Sequence, residues 1–296
     1  MSTLRLLLGP MRLPFVLLAP CCVLLGAGAA VWRTGQLSVS RLALTFIGAI
    51  AAHISVNALN EYFDFKSGLD FKTMRTPFSG GSGTLPANAG AARSALTTGL
   101  VALAITGLIG LYFLRLVGWW LMPLGLFGLL LIFFYTLWLT RHPWLCLIAP
   151  GLGFGPLMVM GTDFVLAGAY SWTALVASLV PFFLVSDLLL LNQFPDVAAD
   201  QSIGRKHFPI IAGTRTSSLI YGAFLFLAYL SIILGVYLAY LPASCLLGLI
   251  TMVIAIPAFI GAYRYGNDVQ KLVPYMGMNV IINLATPLLV AIGLFI

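Results

Sequence analysis

The stretch FFLVSDLLLLNQFPDVAADQSIGRKHF, Phe182–Phe208, decides how this chain is read. Its apolar run Phe182–Leu191 has the character of a membrane-buried segment, interrupted only by Ser186 and Asp187, and it leads directly into Asn192, Asp196 and Asp200. On a helix of 3.6 residues per turn, steps of four drift by only about 40° each, so a continuous helix would place these three oxygen-bearing side chains on one stripe. Ionisable groups at the end of an apolar segment point to a functional site. The same pattern occurs earlier in NEYFDFKSGLD, where Asn60, Asp64 and Asp70 end another long apolar run. Counting Glu61, five of the eight acidic residues of the chain lie in these two motifs.

Composition sets the solvent. The 296 residues are 61% hydrophobic and 8% charged, with a mean hydropathy of +1.05, against roughly 25% charged in soluble domains. An all-α polytopic membrane protein is expected. Spans of about 20 residues cross the hydrocarbon core, and nine fit, at 13–31, 40–61, 94–114, 119–139, 144–161, 173–195, 217–239, 243–263 and 274–295. A barrel would instead show short alternating segments. The connections are brief, so residues 1–296 are expected to form one integral-membrane domain. The longest non-apolar stretch, 64–93, is where chemistry has room.

Orientation follows from lysine and arginine. With the N-terminus cytoplasmic, Arg5, Arg12, Lys66, Lys72, Arg75, Arg93, Arg141, Arg205, Lys206, Arg215, Arg264 and Lys271 lie inside, and only Arg33, Arg41 and Arg115 lie outside. The net charge of +7 is thus read as topology together with an anionic substrate, with no indication of nucleic-acid binding. Cys21, Cys22, Cys146 and Cys245 show neither disulfide nor zinc spacing. The N-terminal run is interrupted by Arg12, Pro14 and Pro20, which favours an uncleaved first span over a signal peptide.

An even number of crossings separates the second and sixth spans, so both motifs emerge on the same side. Gly68 is expected to end the second helix and let Asp70 return from a loop toward Asp64. Pro195 removes a backbone donor and is expected to kink the chain beside Asn192. Two facing carboxylate clusters repel unless a cation separates them, and oxygen ligands suit Mg2+, which commonly bridges to substrate phosphates. A diphosphate substrate accounts for both clusters and for the basic residues behind them, Lys66, Lys72 and Arg75 on one side and Arg205 and Lys206 on the other.

The two motifs resemble the paired Asn/Asp-rich motifs of the UbiA superfamily of membrane prenyltransferases, nearest to the menaquinone-type branch that prenylates dihydroxynaphthoate. The nine spans, with motifs on the second and sixth, fit a UbiA-type bundle over nearly the whole chain. The resemblance implies transfer of a polyprenyl group from its diphosphate to an acceptor, often aromatic, with Mg2+ held by Asn60, Asp64, Asp70, Asn192, Asp196 and Asp200. Arg205 and Lys206 match the basic pair after the second motif, and Arg12 in MRLPF resembles an arginine near the start of the first helix. Glu61 stands where an aspartate is common. The segment TPFSGGSGTLP resembles a loop of some branches.

The remaining polar residues have ordinary readings beside functional ones. Asn57 and His53 share the face of Asn60, where Asn57 is a candidate substrate contact and His53 either lines the cavity and acts on an acceptor proton or, the favoured reading, forms an interhelical hydrogen bond. Asn279 and Asn283, with Tyr275, form a polar face of the last span suited to interhelical bonds. Asp187 is rotated away from Asp196 and is expected to have a structural partner, and Asp163 to lie solvated in an outside loop. Tyr62, Phe63, Phe134, Tyr135, Trp138 and Phe194 are candidates to shield a cationic intermediate. A secondary transporter is the alternative function, since it too uses buried carboxylates and broken helices, but near the bilayer midplane. A non-catalytic scaffold leaves both motifs unexplained. Membrane lipids are the expected surroundings, in a prokaryotic plasma membrane with N-terminus and active site cytoplasmic.

Overall fold

A computed structural model describes residue 6 and residues 8–296, so Arg5 of the charge count lies outside the described residues. Among the described residues there is no strand, and nine helices are long and apolar enough to cross a membrane. They are α1 (Leu13–Thr34), α2 (Val39–Lys66), α3 (Ala89–Val117), α4 (Trp119–Leu137), α5 (Pro143–Ala167), α6 (Trp172–Asn192), α7 (Phe208–Tyr237), α8 (Ala243–Tyr265) and α9 (Val269–Phe295). All nine expected spans are present. The chain is an integral membrane protein.

The ends moved where polarity hid helix. α7 starts at Phe208, ahead of the expected 217, because the polar run Thr214–Ser218 interrupts the hydropathy signal while the backbone stays helical apart from Gly213. α5 extends to Ala167, which corrects the reading of Asp163 as a solvated loop residue. Asp163 is fully buried, accepting a hydrogen bond from Ser171 Oγ at 2.7 Å and lying 3.4 Å from the Arg33 guanidinium.

α6 is the axis of the bundle. In its most apolar window 67% of residues are buried inside the protein, against 6% for α4, which stands at the periphery. Lipid tails are as apolar as leucine, so such a bundle is held by close packing and interhelical polar contacts more than by escape from solvent. Gly151 and Gly155 of α5 let its backbone touch α6, since a β-carbon on either would collide with the backbone at Phe182 or Ser178. The same helix carries a π-helical stretch, Gly153–Met160, containing Pro156, a geometry frequently found at functional sites.

On α9, Asn279 donates to the backbone carbonyl of Asp187 (3.5 Å) and Asn283 to Asn279 (2.9 Å), as expected of this polar face. Asp187 itself departs from expectation. Its carboxylate is fully buried in α6, and neither oxygen finds a partner among the described residues.

Candidate active site

Two backbone devices bring the motifs together. In the first, α2 runs unbroken through Asn60, Glu61 and Asp64 to Lys66. Gly68 (φ 78°) then reverses the chain in a left-handed conformation, and Asp70 returns on a single 3-10 turn, Leu69–Phe71. This is the turn the sequence implied. The second motif corrects the continuous-stripe reading, because α6 stops at Asn192, the chain turns through Gln193–Asp196, and a short helix, Val197–Gln201, carries Asp200. Pro195 lacks the N–H that would continue the helix and crowds the preceding turn, so it breaks the segment outright.

Both motifs line one polar cavity of about 120 Å³, bounded by Asn60, Asp64, Asp70, Asn192, Asp196 and Asp200. Arg205 joins them, as its guanidinium pairs with Asp64 of the first motif and donates to Asp200 Oδ1 of the second at 2.9 Å. His207 Nε2 meets the other Asp200 oxygen at 2.9 Å. Burial alone would lower the Arg205 pKa, but Asp64 and Asp200 outweigh it and hold the guanidinium firmly charged. Among the described residues, two carboxylates of the pocket have no cation in contact with them. Burial, then the charges of Glu61 and Asp64, pushes Asp70 up to about 7. Burial, then Asp200, pushes Asp196 up to about 7.

The fit to a divalent cation rests on orphaned oxygens. Asp70 Oδ2, Asn192 Oδ1 and Asp196 Oδ1 are buried on this cavity with no hydrogen-bond partner among the described residues, an arrangement that suits a bound ligand. Among the described residues no three His, Cys, Asp or Glu side chains enclose a metal by themselves. Mg2+ usually keeps waters and is held by one or two carboxylates plus substrate phosphates.

The basic candidates divide. Arg12 and Arg205 line the cavity, whereas Lys66, Lys72, Arg75 and Lys206 are exposed and do not. Lys66 lies over the Tyr62 ring, Lys72 donates to Ser202 Oγ, and Arg75 packs against Gly83. Arg12 adopts a left-handed conformation (φ 51°, ψ 49°) that L-residues rarely hold. Asn57 stabilises that turn by donating to the Met11 carbonyl at 3.1 Å, so its amide acts first on the backbone that presents Arg12.

Sequence reasoning missed two further features. His207 was hidden in a basic cluster, and only the spacing of seven from Asp200 hinted at contact. Glu61 is the anchor of the loop Ser79–Gly83, accepting from Ser82 N at 2.6 Å and Ser82 Oγ at 2.8 Å. A β-carbon at Gly81, whose φ is 73°, would stand 3.2 Å from Glu61 Oε1 and from Asp70 Oδ1, so a side chain there would both strain the backbone and press on the carboxylates.

A second, apolar cavity of about 610 Å³ lies between α2, α3, α4 and α5, and it shares Arg12, Asn60, Tyr135 and Leu189 with the polar one. Of the six aromatic candidates only Tyr135 lines either cavity. His53 lies on the apolar cavity in edge contact with Phe154 (4.7 Å), and its Nδ1 has no partner among the described residues, which favours the cavity-lining reading over the hydrogen-bonded one.

The chain is 27% identical to a 1,4-dihydroxy-2-naphthoate octaprenyltransferase of Bacillus subtilis (strain 168), over 71% of this chain and 67% of the relative. It is 26% identical to the protein of the same name from Mycobacterium tuberculosis, over 86% of this chain and 84% of the relative. Its fold matches a UbiA homolog from Aeropyrum pernix K1 (TM-score 0.71, 18% identity, 95% and 96% of the two chains). It also matches a UbiA homolog from Archaeoglobus fulgidus bound to DMAPP and Mg2+ (TM-score 0.58, 15% identity, 98% and 99%). The family model described as the UbiA prenyltransferase family covers residues 18–283. A bundle whose second and sixth helices deliver paired Asn/Asp motifs to one pocket, matched over this length, is a prenyl-group transferase, and the chain belongs to the UbiA prenyltransferase family.

Proposed function

We propose that this enzyme transfers a polyprenyl group from its diphosphate to an aromatic acceptor of the dihydroxynaphthoate class, in quinone biosynthesis. The observation carrying this reading is the joined pair of cavities, a polar one for a diphosphate head and an apolar one for a prenyl tail. The named relatives support the acceptor class. Residues 1–296 act as one domain within the plasma membrane of a prokaryote, with the motif end cytoplasmic.

Asp64, Asp70 and Asp196, with Asn60 and Asn192, would hold Mg2+ against the diphosphate, and Asp200 joins them when Arg205 shifts its contact. Bound there, Mg2+ supplies Lewis-acid neutralisation of the charge that builds on the departing diphosphate. Arg205 and Arg12 are placed to share that charge in a pocket of little water, where fixed charges act strongly. Lys66, Lys72, Arg75 and Lys206 guide an anionic head toward the pocket from its rim. Tyr135, at the shared boundary, is placed to shield the allylic cation until a ring carbon of the acceptor captures it and the ring sheds the proton or carboxyl group from that carbon. The apolar walls exclude water that would quench it.

The test is diphosphate release by purified protein given prenyl diphosphates of several lengths, with and without Mg2+, and with dihydroxynaphthoate or hydroxybenzoate as acceptor. Release that needs Mg2+, yields a prenylated aromatic product and falls about 10²–10³-fold in Asp64→Asn and Asp196→Asn is expected. Product formation that is indifferent to both substitutions would overturn the site. A product on non-aromatic acceptors alone would overturn the acceptor class.

A further inference from the structure

Resting on the assignment of the apolar cavity to the prenyl tail, we propose that three glycines, Gly110 on α3 and Gly125 and Gly128 on α4, set the tail length this enzyme accepts. The cavity reaches from Asn60 to Thr45, about 22 Å along α2, most of the roughly 30 Å hydrocarbon thickness. Its two outer walls are helices α3 and α4. On the α3 wheel the cavity-lining residues run from Ile109 round to Leu111 over about 200°, with Gly110 at the middle. On α4 four of the cavity-lining residues, Leu121, Gly125, Gly128 and Ile132, fall within about 60° of one another. The glycines therefore sit at the centre of the inward stripes.

Nothing else in the structure asks for glycine at these places. None of the three has a positive φ. Among the described residues a β-carbon would meet nothing within 4 Å at Gly110 or Gly125, and only Leu157 Cδ1 at 3.9 Å at Gly128. Gly151 and Gly155, by contrast, admit a neighbouring backbone. Glycine inside a helix is less favourable than alanine by about 0.5–1 kcal/mol, and what it leaves here is open width. The positions are also graded in depth. From Tyr135 at the shared mouth, Gly128 lies about 10 Å and Gly125 about 15 Å along α4, so a side chain at Gly128 meets the tail first.

The experiment measures turnover of dimethylallyl, geranyl, farnesyl, geranylgeranyl and longer polyprenyl diphosphates by the wild type and by Gly128→Phe, Gly125→Phe and Gly110→Phe. The expected result is a fall of about tenfold or more in the ratio of long-donor to short-donor turnover, with the break at a shorter donor in Gly128→Phe than in Gly125→Phe. The alanine variants favour helix and add one methyl, so they move the ratio in the same direction by less. An unchanged ratio in every variant, or an equal loss at all donor lengths while the alanine variants stay wild-type, overturns the proposal and leaves the transferase reading standing. Diphosphate release that is equal for every donor length in the wild type and stays equal and undiminished in all three phenylalanine variants overturns the tail assignment itself.

Discussion

The two acidic motifs contain the same residue types and reach the same cavity by opposite routes. The first is rigid, since α2 continues through Asp64 and only Asp70 depends on the Gly68 reversal. The second is assembled from a break, where α6 ends at Asn192 and a turn and a short helix carry Asp196 and Asp200. The broken motif also brings its own cation. Arg205 returns five residues after Asp200 to span both motifs, and His207 fixes the remaining Asp200 oxygen. Equivalent chemistry does not need equivalent backbone, provided that something holds the flexible side.

Three measurements would break or sharpen this contrast. The largest effect belongs to Arg205→Ala. Removing the shared cation leaves Asp64 and Asp200 buried and facing each other, which costs about 3–5 kcal/mol for a broken buried pair. Thermal unfolding without metal is expected to occur at markedly lower temperature, and millimolar Mg2+ to restore the variant more than it stabilises the wild type. Equal Mg2+ effects on both would show that Arg205 does not occupy the place of a cation between the motifs.

An intermediate effect is expected with pH. Asp70 and Asp196, one from each motif, both stand at about 7, above the ordinary 3.8. Folding then favours their protonated forms, so the stability they contribute to the metal-free protein is present at acidic pH and is lost as pH rises through about 7. Mg2+ binding needs the charged forms, and its affinity, followed by calorimetry, should rise over the same interval and level off above it. Affinity flat between pH 5 and 8 would remove both residues from the ligand set.

The smallest effect tests the rim of the first motif. Glu61→Gln weakens the bonds to Ser82 that hold the glycine loop over the carboxylates, a loss of about 1–2 kcal/mol. It is expected to raise KM for the donor several-fold and speed proteolysis within Ser79–Gly83. Gly81→Val, which blocks the close approach itself, should do more. If neither changes KM, the loop is only a connection.

Much of this was readable from residue order. The number of spans, the shared side of the two motifs, the Gly68 reversal and the convergence of six Asn/Asp residues follow from hydropathy, helix parity and turn chemistry, which are local properties. Asn57, Asp163, Asp187 and His53 were harder, because their roles depend on which neighbours pack against them. A hydropathy window also cannot distinguish a polar loop from a polar helix end, so the starts of α7 and the end of α5 shifted. The continuous stripe at Asn192–Asp200 failed because spacing describes a helix only while the helix continues, and Pro195 ends it.

Composition and spacing established a membrane bundle with two oxygen-rich motifs at one end, because burying so many apolar residues admits no other solvent and the polar exceptions stand out. Which cations stand between the motifs, that only Arg12 and Arg205 among the basic candidates line the polar cavity, and that this cavity opens into a long apolar one were decided by the folded chain. These are relations between α2, α6 and the segment after it, and between the glycine-bearing walls α3 and α4, which lie far apart in the sequence and meet only when the helices pack.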